Sequence, residues 1–159
     1  TGGLGAIRRW QRNWLKSPAL KSCAGVPCLR AAQSARAALL RQVAALSSPA
    51  GAYTGYYVRH QGLHVDRHYA DMLLVGLEDG RVLVAGSAIW LGPRADEGQV
   101  NTGEVEGFAN AGGKALEFAD DACKVTMRVD AAGLAVEDNH HCGGVNVTFT
   151  GAYRRMIKP

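Results

Sequence analysis

Cys123-Lys124-Val125-Thr126-Met127-Arg128-Val129-Asp130-Ala131-Ala132-Gly133-Leu134-Ala135-Val136-Glu137 is the most informative stretch of the chain. Lys124, Thr126, Arg128 and Asp130 alternate with Val125, Met127 and Val129, so one face of an extended strand is wet and the other dry. Asp130-Ala131-Ala132-Gly133 supplies the turn, and a second alternating run follows at once. A two-residue period on both sides of a tight turn is the pattern of an antiparallel sheet with one solvated face.

The same period runs outward from this hairpin. Strands are expected at 53–58, 72–77, 81–90, 100–109, 115–118, 123–129, 134–137 and 145–153, with Glu78-Asp79-Gly80 as a second tight turn. In the last of them, Asn146, Thr148 and Thr150 alternate with Val145, Val147 and Phe149. Eight short strands within residues 49–159 predict a small closed antiparallel barrel.

Before Ser47-Ser48-Pro49-Ala50-Gly51, a linker cluster, the period is different. Leu4, Ile7, Trp10 and Trp14 recur at helical spacing as far as Pro18. A second helix is expected from about Cys28 to Leu46, with Leu29, Ala32, Leu39, Leu40, Val43 and Leu46 to one side. The expected fold class is therefore α+β, with a helical hairpin over 1–48 and a β-barrel-like domain over 49–159. Arg36 lies at the centre of the second helix's apolar stripe. With no carboxylate in residues 1–48 to pair with, Arg36 is expected to snorkel along apolar surface, to bond backbone carbonyls or to meet an acid of the β-domain, and Arg36, Trp10 and Trp14 are the candidate inter-domain contacts.

Charge divides at the same boundary. Residues 1–48 hold eight of the 18 Lys and Arg and no Asp or Glu, a net +8. The remaining ten basic residues face all 14 acids in 49–159, a net −4. Such asymmetry points to a charged partner for one half, or to docking of one half on the other.

Four cysteines allow three pairings, and pairing within each half gives Cys23–Cys28 and Cys123–Cys142. The alternatives are reduced thiols and a metal site, although the spacing is not that of a zinc module. Disulfides imply maturation in an oxidising compartment, so a periplasmic or secreted location is expected. No run approaches the roughly 20 apolar residues of a membrane span.

His60, His64 and His68 recur every fourth residue and His140-His141 precede Cys142, but loop histidines are the expected reading, with no metal and no cofactor. No serine lies in a Gly-x-Ser-x-Gly elbow, and Glu104 and Glu106 read as a solvated strand face. Asn146-Val147-Thr148 matches a glycosylation acceptor inside an expected strand. The basic half with its two tryptophans has the composition of a nucleic-acid or membrane binder, but Trp10 and Trp14 fall on the apolar side. The chain is expected to be a binding protein, with no catalytic residues and no nucleic-acid partner.

Gln11-Arg12-Asn13-Trp14-Leu15, Cys23, Cys28-Leu29, Arg36 and Leu40 together resemble the short cysteine-containing helical module of LprI-type lysozyme inhibitors. The chain departs from that pattern at Gln33, at Ser17 and in the spacing before Cys23, which includes Pro18. In the β-half, Asn101-Thr102-Gly103-Glu104, Cys142-Gly143-Gly144-Val145-Asn146-Val147 and Gly151-Ala152-Tyr153-Arg154-Arg155 are similar in outline to the small barrels of membrane-associated lysozyme inhibitors. The serine- and lysine-bearing loop of those inhibitors has no counterpart here. The resemblance implies a proteinaceous inhibitor whose partner is a basic c-type lysozyme. The alternative is an envelope structural or binding module without that activity.

Overall fold

The computed structural model describes Ser34, residues 49–111 and residues 113–157. After a 3-10 turn at Gly51–Tyr53, the chain forms β1 (Gly55–Gln61), β2 (His64–Val65), β3 (Ala70–Gly76), β4 (Arg81–Leu91), β5 (Val100–Asn110), β6 (Leu116–Asp120), β7 (Cys123–Val129), β8 (Leu134–Asp138) and β9 (Gly151–Ile157). The sheet order is β2-β1-β3-β4-β5-β6-β7-β8-β9, and β9 returns to pair with β1. Eight antiparallel strands thus close a barrel, and β2 is a two-residue appendage on the end of β1.

Two observations correct the sequence reading. The described residues are mostly β and contain no helix of seven or more residues, so α+β gives way to a closed β-barrel. The physical reason is that the two-residue period holds through almost every segment from Gly55 to Ile157. The hairpin expected over 1–48 lies outside the described residues, as do Cys23, Cys28, Arg36, Trp10 and Trp14. The second correction concerns the last strand, which begins at Gly151 rather than at 145.

The hairpin read first is present as expected. Val129 pairs with Leu134, and Val125, Met127, Leu134 and Val136 are buried. The Asp130 carboxylate closes the turn by accepting bonds from the backbone N–H of Ala132 and Gly133, at 2.8 and 2.9 Å. Between β1 and β2, Gly62 takes a left-handed φ of +58°, which the two-residue connection requires.

Inward side chains from all eight barrel strands fill the interior, among them Tyr57, Met72, Val84, Val105, Phe118, Met127, Val136 and Tyr153, and Phe149 joins them from the segment between β8 and β9. Over β5 to β8 the outward positions are largely exposed, as the alternating burial shows. β3 and β4 are different, being buried on both faces. Their outward residues Leu73, Val75, Leu83 and Ala85 form a second apolar cluster with Tyr56, Val58 and Leu77. Strands covered on both sides read as continuous apolar runs, as Met72-Leu73-Leu74-Val75 does here.

The barrel is not equally zipped around its circumference. β4 and β5 pair at eleven positions, whereas β5 and β6 pair only at Asn110 and Glu117.

Candidate functional site

The segment between β8 and β9 is the best-braced irregular stretch among the described residues. Its alternation of Val145, Val147 and Phe149 with polar residues reads as a strand, but the Asp138 side chain takes the place of a ladder. That carboxylate is fully buried and accepts bonds from Thr148 Oγ1 (2.8 Å), the Phe149 backbone N–H (2.8 Å) and Thr150 Oγ1 (3.0 Å). Val147 and Phe149 still turn inward, so the periodicity is real although the secondary structure is not. His140 and Asn146 have φ of +60° and +66°, and these are residue types that tolerate the left-handed region.

Four further ties hold this loop. Cys142 is disulfide-bonded to Cys123 at the start of β7, with the Cα atoms 4.7 Å apart. Asn139 bonds both ways, accepting from the Lys124 backbone N–H (3.1 Å) and donating to the Ala122 carbonyl (2.8 Å). On the β5 side, Gly144 N–H donates to Thr102 O (3.1 Å) and Asn101 Nδ2 donates to Val145 O (2.8 Å). The backbones approach so closely there that a Cβ at Gly103 would collide with the Cys142 carbonyl oxygen.

The last tie comes from inside the barrel. Arg59 lies on the inward side of β1 and is 4% exposed. Its guanidinium donates to the carbonyls of Thr148 (2.6 Å), Thr150 (3.2 Å) and His68. Its Nε lies 3.2 Å from the Asp66 carboxylate, an ion pair whose angles fall short of a hydrogen bond. One interior cation thus joins β1, the segment before β3 and the base of the loop.

Bracing of this kind holds exposed groups in fixed positions. Val145 is 75% exposed. It shares a shallow depression with His140, Gly143, Gly144, Asn146 and Val147. His141 is exposed alongside, and Asp120 at the end of β6 and Asp121 in the turn after it, both exposed, precede the Ala122 carbonyl to which Asn139 is tied. Asn146, expected inside a strand, lies exposed on this loop.

The other residues singled out from sequence do not converge. His60 Nδ1 is 2.8 Å from Val58 O, His64 is exposed on β2, and His68 Nδ1 accepts a bond from Leu91 N–H at 3.1 Å. Among the described residues no three His, Cys, Asp or Glu side chains form a group that could hold a metal ion. Glu104 is exposed and Glu106 half-buried on the outward side of β5.

Two features were not singled out from sequence. One is Arg59, whose only sequence signal is its two-residue offset from the inward Tyr57. The other is a buried polar cluster on the outward face of β1, β3 and β4. There the Asp71 carboxylate accepts bonds from Tyr56 Oη (2.8 Å) and Ser87 N–H (2.9 Å), and Tyr56 Oη lies 3.1 Å from Tyr69 Oη. Burial first, and then the Asp71 charge, push the Tyr56 phenol well above the usual tyrosine range. The signal for Asp71 was an acid at the head of an otherwise apolar run.

No helix among the described residues is long and apolar enough to cross a membrane. No family model, curated protein or solved structure matches the chain, so the resemblance to the LprI-type module rests on the quoted residues alone.

Proposed function

We propose that this chain is an extracytoplasmic, non-enzymatic protein-binding module that presents the 139–148 loop to a cationic protein, with a c-type lysozyme as the partner to test. The observation that carries the reading is the combination in one loop of five structural ties and an exposed Val145. A pre-ordered loop loses little conformational freedom on binding, and an apolar tip at its centre is what a partner's pocket can desolvate. The net −4 of residues 49–159, with Asp120 and Asp121 beside the loop, favours a basic partner by long-range attraction. The Cys123–Cys142 disulfide supports the oxidising compartment that the reading requires.

The test is lysis of cell-wall substrate by a c-type lysozyme with the full chain added at low and at high salt. Inhibition that weakens as salt rises is the expected outcome. Absence of inhibition at micromolar protein and low salt would remove lysozyme as the partner.

A further inference from the structure

The barrel carries two exposed patches of opposite character. The first is the 139–148 loop, where Val145 is exposed and Asp120 and Asp121 lie alongside. These two acids outnumber Lys124, the exposed cation at the start of β7. The second patch begins on β5, whose outward row runs Thr102, Glu104, Glu106, Phe108 and Asn110. That row is polar except at Phe108, which is 41% exposed. The Arg81 guanidinium stacks on the Phe108 ring, 4.6 Å from its centroid, and pairs with the Asp79 carboxylate at 2.7 Å. Phe108 borders a second depression, of about 660 Å³, whose lining includes the exposed cations Lys114 and Arg128 and one acid, Glu117. A basic hollow beside an exposed aromatic ring is thus set into a domain whose net charge is −4.

We propose that two copies of this chain associate head to tail, with Val145 of one copy seated against Phe108 of the next and Asp120 and Asp121 facing Lys114 and Arg128. Charge selects a second copy as the occupant. Tip against tip would set acids against acids, and hollow against hollow would set cations against cations, so the favoured contact joins unlike patches. The apolar groups agree with that pairing, since Val145 and Phe108 are both exposed and each would be desolvated by the other. The loop is already ordered by its disulfide and hydrogen bonds, so seating it costs little conformational freedom. A contact between two different patches leaves a free tip on one copy and a free hollow on the other, so association is not limited to pairs. The contact uses the loop of the proposed function but does not rest on lysozyme being its partner, and no lysozyme enters its test.

That test is sedimentation velocity on the full chain at low salt, from about 10 μM to about 1 mM. The average mass is expected to rise with concentration, and less steeply as salt is added. Asp120→Lys with Asp121→Lys reverses the charge of the tip, and Lys114→Glu with Arg128→Glu reverses that of the hollow. All four positions are exposed, so folding should be retained. Each reversal alone is expected to weaken association by about tenfold or more. An equal mixture of the two variants is expected to restore it, because the reversed tip then meets the reversed hollow. A parent protein that stays monomeric at about 1 mM, a reversal that leaves association unchanged, or a mixture that stays monomeric would overturn the proposal. If a variant does not fold, amide spectra of the unaltered protein over the same dilution series decide. Concentration-dependent shifts in both the 139–148 loop and the Phe108 to Ala119 region support the contact, and shifts absent from either overturn it.

Discussion

Arg59 shows how a single side chain can set the geometry of a distant loop. It carries three carbonyl contacts and an ion pair from a nearly closed interior position, and the carbonyls of Thr148 and Thr150 lie at the loop's base. Arg59→Met keeps the stem but strands those acceptors and Asp66. It is expected to cost about 3 kcal/mol in denaturant unfolding, as for a broken buried pair. Tyr153 gives the pH dependence. Burial raises its phenol above the usual range, and nearby Arg59 only partly offsets this. Burial likewise raises Tyr56 and Tyr57. Because the folded pKa is the higher one, this stability is complete below the unfolded value near 10 and is lost as pH rises beyond it. Tyr153 alone is expected to contribute a decline that begins near pH 10 and approaches about 1.4 kcal/mol per pH unit above it, read by denaturant titrations between roughly pH 9 and 12 with phenolate absorbance as a check.

At the scale of the element, the loop and its disulfide separate two effects that are usually confounded. Replacing Cys123 and Cys142 together by Ala opens a covalent loop of 19 residues and is expected to cost about 3 kcal/mol by chain entropy. Amide exchange should quicken in 139–148 while β3 and β4 stay protected. Val145→Asp touches an exposed tip, so its stability should stay within about 0.5 kcal/mol of the parent. Inhibition of lysozyme should nevertheless fall by about tenfold or more in the same lysis assay. The strands themselves were largely legible: Val125, Met127 and Val129 against Lys124, Thr126 and Arg128 predict β7, and Asp79-Gly80 predicts the β3–β4 turn. The start of β9 was not legible. Val147 and Phe149 alternate like strand residues, and only the arrival of the Asp138 side chain from β8 converts that stretch into a loop. Nothing local to 145–150 encodes that arrival.

For the molecule as a whole, sequence disclosed closure of the sheet but not its two-sided burial. The run Met72-Leu73-Leu74-Val75 and the long apolar stretch of β4 carried that signal, since a barrel strand facing water on one side alternates instead. Asp71 within that run had no sequence counterpart that could be identified without the face it lies on. The site was legible in one covalent feature, Cys123–Cys142, whereas its other ties come from residues far apart in the chain, such as Asn101, Arg59 and Asp138. Net charge is likewise a property of the whole chain, so attraction to a cationic partner sets the −4 of residues 49–159 against the +8 of residues 1–48, and both are screened by salt.

The single paired position between β5 and β6 makes that seam the place where the ring of backbone hydrogen bonds parts at least cost. Parting there would leave a curved open sheet with β5 and β6 as raw borders, each able to accept the matching strand of another molecule. Strand exchange between two copies, and growth into larger assemblies on heating, would therefore begin at Asn110 and Glu117, on the far side of the sheet from the β1–β9 junction that closes it.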